Sequence, residues 1–416
     1  MAALGLRILR LPQLAFQNIR DFWNPHEMIQ FSQTSTKAKN TLRGCARRKA
    51  PKMIFWFNRY CRLSIKLVKD LIFWEERRAY EKNLWSFESM HISKMNEPED
   101  YEDYKSRFYY SRSHMNLPIY SNDPLRQFLE MAKLLLELFG ITKHEMYFFK
   151  NLAKLEDLET VIKWINLHER IQKITKIKVM IKPGNTDSFQ CFLDNIKKKV
   201  DFLEVESREA VEIIFPKNLE IEEIKGSHGD SWLSFEGLMA TNCNRLYINS
   251  SYLTNREVNA FLRSWKEGKS HSNLEYYRFI TQKSPDWRTV LNGLGAVVRH
   301  PTKVARFYHP KQGRHMWHHG GVDIRRETDG KIGTVVWLTH SSLEEKRPIP
   351  RRVLEKYNRT MREWMGHEGE SDVVWEVGDE GDQQELEFLE GDEPPESRYL
   401  ELEFVVFKDE CFCKER

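Results

Sequence analysis

From residue 125 onward the chain alternates helix-spaced and strand-like segments, and this alternation constrains its fold more than any other feature. In "DPLRQFLEMAKLLLELFG" the residues Leu125, Phe128, Leu129, Ala132 and Leu136 recur at helical spacing, and Gly140 ends the run. "EMYFF" (145–149) reads as a strand, "LEDLETVIKWINLHER" (155–170) as a helix and "KIKVMI" (176–181) as a strand. "TDSFQCFLDNIKKK" is a helix with Phe189, Phe192, Leu193 and Ile196 on one face, and "DFLEVES" and "LEIEEI" (219–224) are strands. "SFEGLMA" (a short helix), "RLYIN" (245–249), "TNREVNAFLRSWKEG" (254–268) and "LEYYRFI" (274–280) continue the pattern. Strands return roughly every 18–30 residues, the period of leucine-rich-repeat-like solenoids. In such stacks each unit buries one face on the next. A single open α/β sheet satisfies the same periodicity, so the fold class is α/β with both arrangements open.

The helix over 254–268 carries its own boundaries. Thr254 and Glu257 form a capping box, Val258, Phe261, Leu262 and Trp265 form one apolar stripe, and Gly268 ends it. That stripe is read as core. Downstream, "VARFYHP" and "GKIGTVVWL" read as closing strands, with a turn signal at Asp329-Gly330. "RRVLEKYNRTMREWM" reads as a helix and "YLELEFVVFK" (399–408) as a returning strand.

The opposite end is built differently. "LRLPQLAFQNIRDFWNPHEMIQFSQTSTKAKN" (9–40) is crowded with apolar side chains, yet two prolines cut it into pieces too short to make a core. Three short helices are expected. Pro12 and Pro25 take first helical positions, where their missing N–H costs nothing. Asn24 and Ser35 are placed to cap the second and third helices. Residues 45–57 form a basic linker running into strands within 53–75, and the Tyr-rich stretch 86–123 is expected as long loops. Residues 1–20 carry Arg7 and Arg10 and no acidic residue, as a transit peptide can, while Arg7, Arg10 and Pro12 interrupt the apolar run of a secretory signal; the segment is read as opening the first folded unit.

Charge is unevenly spread. Residues 366–405 hold fifteen Asp and Glu and one Arg, so the remainder carries +18 against +4 for the chain as a whole. The acidic stretch is poor in apolar residues and is expected to be largely disordered. No recognisable nucleic-acid motif occurs in the basic part, so nucleic acid is not an expected partner. No apolar run is long enough for a spanning helix, so no membrane is expected. Six scattered cysteines without a CxxC pair point to reduced thiols in an intracellular compartment.

No familiar catalytic pattern appears. The histidines His300, His309, His315, His318 and His319, with Asp323, lack a known ligand spacing, so they are read as structural and no metal is expected. "GLGAVVRH" (293–300) is a partial echo of a dinucleotide loop without the preceding strand. No GxSxG or HExxH occurs. No cofactor, no catalytic residue and no enzymatic activity of the chain itself are expected.

Two regions resemble known families. Residues 8–44 resemble the F-box, in the Leu-Pro followed by helix-spaced apolar residues and in the later Ser with a basic residue behind it. Residues 230–280, with Trp232, "LYINSSYLT", "NREVNAFLRSWKEG" and "NLEYYRFI", resemble the type-2 F-box-associated domain of the large nematode F-box family. "GGVDIRRETDGKIGTVVW" (320–337) is similar to that family's closing segment, with a small insertion at Glu327-Thr328.

The resemblance implies a trihelical F-box at 8–44, a linker and first strands at 45–124, and an α/β repeat domain at 125–340 with the F-box-associated core at about 195–280. A helix and acidic extension at 347–416 depart from the family. It further implies a substrate-recognition adaptor of an SCF-type ubiquitin ligase, cytoplasmic, nuclear or both. Leu11, Pro12, Leu14, Ile19, Met28, Ile29, Phe31, Ser35 and Lys37 would dock on a Skp-type adaptor and hence the cullin scaffold. The repeat domain would hold an unidentified target protein. The alternative is a protein–protein interaction solenoid uncoupled from a ligase.

Overall fold

The computed structural model describes residues 16, 23, 25–43, 52–57, 61–66, 84–91, 115–148, 154–181, 186–207, 213–216, 219–227, 233–248, 253–281, 285–308, 316–337, 339–344, 346, 348–366, 372–377, 400–407 and 413–415. The chain divides into two compact units, Met1–Leu203 and Glu204–Arg416.

Unit 1 opens with helices α1 (Pro25–Thr34) and α2 (Thr36–Arg43). Pro25 takes the first helical position as its sequence context predicts, and the Ser35 hydroxyl accepts the Ala38 N–H at 3.1 Å to cap α2. Strands β1 (Lys52–Phe57), β2 (Cys61–Lys66), β3 (Leu84–His91) and β4 (Met115–Ser121) follow. The last two correct the expectation of long loops over 86–123. β4 contains Pro118, and its place at the end of the strand order is where a missing ladder N–H is tolerated.

The alternation then appears as read: α3 (Pro124–Phe139), β5 (Lys143–Phe148), α4 (Leu155–Leu167), β6 (Lys173–Ile174), β7 (Lys176–Ile181), α5 (Thr186–Asn195) and β8 (Lys199–Ser207). Asp123 caps α3 by accepting the Arg126 N–H, and Gly140 closes it in the left-handed conformation, φ 56°. The strands run β4-β3-β2-β1-β5-β7-β8, with β6 beside β8. β1, β5 and β7 are parallel, while β1–β2 and β2–β3 are antiparallel. Buried Phe55, Phe57, Met146 and Phe148 of the sheet face Phe128, Phe189 and Phe192 of the helices, with Phe57 stacked on Phe148 at 4.7 Å. Parallel strands need crossover helices, and the amphipathic stripes of α4 and α5 supply the buried faces.

Unit 2 contains β9 (Ile221–Ser227), α6 (Phe235–Ala240), β10 (Arg245–Ile248), α7 (Asn255–Lys266) and β11 (Tyr276–Thr281). After these come α8 (Trp287–Leu291), β12 (Val297–Arg299), β13 (Val304–Tyr308), β14 (Met316–His319), β15 (Gly321–Arg325), β16 (Ile332–Val335) and β17 (His340–Ser342). The unit closes with α9 (Arg351–Met365), β18 (Val374–Trp375), β19 (Leu400–Phe407) and β20 (Cys413–Glu415). Its main sheet runs β18-β12-β15-β16-β19-β11-β10-β9, and a second sheet runs β17-β14-β13-β20.

β9, β10 and β11 are parallel, which a repeat stack and an open α/β sheet both allow. From β11 to β12 every neighbouring pair is antiparallel, so the repeat logic stops there. The physical reason is the connection: the turn at Asp329-Gly330, with Gly330 at φ 73°, joins β15 to β16 without a crossover helix. β19 enters between β11 and β16, so part of the expected extension is central to the sheet. Of the acidic stretch expected to be largely disordered, residues 367–371 and 378–399 lie outside the described residues, while Val374 and Trp375 form β18 and Leu400–Phe407 form β19.

Candidate functional site

At the N-terminal helices, Ile29 of α1 and Ala38 and Leu42 of α2 are buried. Phe16, Trp23 and Phe31 form an aromatic triad, with centroids 6.0, 6.0 and 4.8 Å apart. Lys39 of α2 pairs with Glu137 of α3 at 2.6 Å, and Arg43 pairs with the same carboxylate. Partial burial opposes ionisation of Glu137, yet the hydrogen bonds from Lys39 and Arg43 hold its carboxyl below the usual range.

Of the nine residues expected to face an adaptor, Leu11, Pro12, Leu14 and Ile19 lie outside the described residues. Met28 and Phe31 are half-buried, and Ser35 and Lys37 are exposed. Ile29 is buried within this chain. Phe16 and Trp23, which complete the triad with Phe31, were not singled out by the periodicity. Trp23 lies outside a helix, so helical spacing carried no signal for it.

In unit 2 the segment from β9 to β11 is built around two devices. The first is Arg245, whose side chain is only 3% exposed and faces Glu222 at 3.0 Å, Glu223 at 3.4 Å and Glu275 at 3.9 Å. The second is α7, whose capping box forms as its sequence dictates. The Thr254 hydroxyl accepts the Glu257 N–H at 3.3 Å, and the Thr254 N–H donates to the Glu257 carboxylate at 2.7 Å. Val258, Phe261, Leu262 and Trp265 are buried beneath it. Arg326 lies over the Trp265 ring at 5.1 Å and holds the Asp329 carboxyl well below the usual range.

His271 sits at φ 55° beside this helix. Its Nε2–H donates to the Leu238 carbonyl at 3.0 Å, and its Nδ1 accepts from the Ser270 hydroxyl at 2.7 Å. Burial pushes its pKa down to about 4, so the ring is neutral. Burial also pushes the Cys243 thiol up to about 12, which makes it a poor nucleophile.

The histidine-rich stretch is consumed by internal bonding. His318 and His319 are buried in β14, and burial, followed by the neighbouring His319, lowers His318 to about 4. Asp323 accepts from Arg299 at 2.7 Å, from Arg306 and from the Thr334 hydroxyl at 2.8 Å. His309 and His315 lie outside the described residues, among which no group of three or more potential ligands could hold a metal ion.

The glycine-rich stretch 293–300 proves to be an anion cradle. Gly293 and Gly295 have φ of 71° and 56°, and their N–H groups donate to the Asp372 carboxylate at 3.1 and 2.5 Å. Three residues on, Trp375 is buried among Trp337, Tyr357 and Trp364, at 6.2, 5.5 and 5.8 Å between centroids. The Glu376 carboxylate accepts from Arg299 at 2.5 Å and from the His300 N–H at 3.1 Å. The sequence signal was the pair of glycines; the acidic occupant was invisible because it lies 79 residues away from Gly293.

Compared with known protein families, residues 210–279 match the family described as F-box associated. The chain therefore carries an F-box-associated domain, spanning β9 through β11 with the Arg245 cluster and α7 inside it. Neither the curated proteins nor the solved structures give a match to this chain. Among the described residues no helix is long and apolar enough to cross a membrane.

Proposed function

We propose that this chain is a substrate-recognition adaptor of an SCF-type ubiquitin ligase. The observation that carries the reading is the F-box-associated domain at 210–279. In the expected order it is preceded by short helices with a proline start and a Ser35 cap. Residues 8–44 would be the F-box, docking Leu11, Pro12, Leu14, Ile19, Met28, Ile29, Phe31, Ser35 and Lys37 on a Skp-type adaptor and through it on the cullin scaffold. Unit 2 would hold the target protein.

The chain itself would then be no enzyme. Other subunits supply the chemistry, and this one raises the local concentration of target near the charged ubiquitin carrier. The cytoplasm and the nucleus are the compartments this role fits. The test is co-purification with a Skp-type adaptor, wild type beside Leu11→Ala/Pro12→Ala. A stoichiometric complex lost in the double variant supports the reading; no complex with folded wild type defeats it.

One observation favours a second reading, an interaction protein uncoupled from a ligase. Ile29 is buried, and Lys39 and Arg43 tie α2 to α3 of the same unit. On that reading part of the helical segment's apolar surface is spent internally, and the co-purification fails with the protein folded.

A further inference from the structure

The stretch Gly293–His300 presents a row of recognition groups along β12, and each is held in place by something other than its occupant. The two glycines are preset at positive φ, which lets their N–H groups converge on one carboxylate. Arg299 is fixed from behind by Asp323 at 2.7 Å. Of the rings around Trp375, Trp337 is stacked on Trp287 at 4.2 Å, and Trp364 is held by Arg288, which lies over its ring at 5.2 Å. Arg288 also donates to the Trp364 carbonyl at 2.6 Å.

Into this row the chain lays residues 372–376, "DVVWE". Val374 donates its N–H to the Ala296 carbonyl at 2.9 Å and Glu376 to the Val298 carbonyl at 3.0 Å, so the segment adds a parallel strand to the edge. Its grip is slight. The pairing covers two residues, Asp372 is exposed, and Val374 and Val377 are 59% and 63% exposed. Strand addition with one buried aromatic anchor and flanking charge contacts is how folded domains take up extended peptides.

We propose that the edge from Gly293 to His300 is a docking groove for an extended acidic peptide of pattern Asp-x-x-Trp-Glu. Residues 372–376 are its resident occupant, and a peptide of the same pattern displaces them. The first carboxylate seats on the glycine amides, the tryptophan enters the aromatic box, and the second carboxylate meets Arg299 and the His300 N–H. The glutamate and aspartate positions give charge selection, and the ring gives the affinity. That such a peptide belongs to a target protein rests on the adaptor reading above; that it docks does not.

The test uses the full chain and a fluorescein-labelled peptide of residues 370–378, followed by anisotropy. Three proteins are compared: wild type, Trp375→Ala, and Asp372→Asn/Glu376→Gln, which keeps the tryptophan. A tethered occupant competes at an effective concentration on the order of millimolar, so both variants are expected to bind the peptide at least about tenfold more tightly than wild type. Replacing the tryptophan, or either acid, of the peptide by alanine should abolish that binding. The proposal is overturned if the folded variants bind no better than wild type, or if the alanine peptides bind equally well. It is also overturned if the charge variant fails to fold, because the segment is then part of the fold rather than an occupant. Adaptor co-purification does not involve this groove, so a failed peptide titration and a failed adaptor reading are separate results.

Discussion

Trp265 of α7 meets Phe404 of β19 edge to face, ring centroids 4.9 Å apart and planes at 83°, both side chains fully enclosed. This contact joins the capped helix of the F-box-associated domain to a strand that lies far outside the segment matched by that family. Gly333 of β16 completes the arrangement, since a Cβ there would stand 2.3 Å from Phe404 and 2.8 Å from Trp265.

Phe404→Ala is therefore expected to cost unit 2 about 3–5 kcal/mol, as for other buried aromatics truncated in a packed core. Gly333→Ala should cost about 1–3 kcal/mol by overpacking the same spot. Urea denaturation followed by tryptophan fluorescence reads both. A Phe404→Ala loss below about 1 kcal/mol would show that the ring contact is dispensable.

Thr254→Ala removes one half of the capping box and is expected to lower stability by about 1 kcal/mol. Glu257→Ala removes the other half. Because the two side chains satisfy each other's backbone N–H groups, the double variant should lose less than the sum of the singles. Strict additivity in the denaturation series would mean that the two caps act independently.

Arg245→Met leaves Glu222, Glu223 and Glu275 facing one another without their shared cation. The expected cost is about 3 kcal/mol. Adding Glu222→Gln and Glu275→Gln should recover part of it, because the penalty comes from uncompensated charge. Thermal unfolding at low and high salt separates this from a packing loss: only the charge penalty shrinks with salt.

His144, His271 and His318 are each lowered to about 4, burial being the main cause in all three. Between that value and the unfolded value near 6.5, the unfolded chain binds more protons than the folded one. Their contribution is thus fully present above about pH 6.5 and is lost as pH falls toward 4. His271→Asn tolerates the left-handed backbone and removes one titrating ring, so its stability should fall less steeply across that window than wild type's. Equal slopes in pH-dependent denaturation would exclude His271 as a contributor.

What could be read in the sequence was what is local. α7 was legible in full, because cap, stripe and closing glycine all lie within one helix. The alternation of α3 through α5 with β5 and β7 was legible for the same reason. β3 and β4 were not, since the stretch 92–114 between them is polar and Tyr-rich, and Pro118 signals a loop unless its strand is known to end a sheet. The period-2 pattern of "YLELEFVVFK" announced β19, but its neighbours are set by distant pairing, more than a hundred residues away for β11 and about seventy for β16. Separations of 79 and 77 residues likewise hid the seating of Asp372 on Gly293 and Gly295. At the N-terminal helices the periodicity found Met28, Ile29 and Phe31 but gave no means of separating Ile29, which faces inward, from its half-buried neighbours.

The position of β19 sets an order of events during synthesis. Tyr276 of β11 and its partner Glu403 are 127 residues apart. As the chain leaves the ribosome, β11 and β16 emerge long before the strand that belongs between them. Two hydrogen-bonding edges then wait side by side with nothing to close them. Unit 2 cannot zip up progressively from its first strand; it locks late, when Leu400–Phe407 slides into place. A nascent chain stalled before that strand exposes the very surfaces that chaperones and proteases recognise, so the interval of greatest vulnerability lasts until residues 400–407 have left the ribosome.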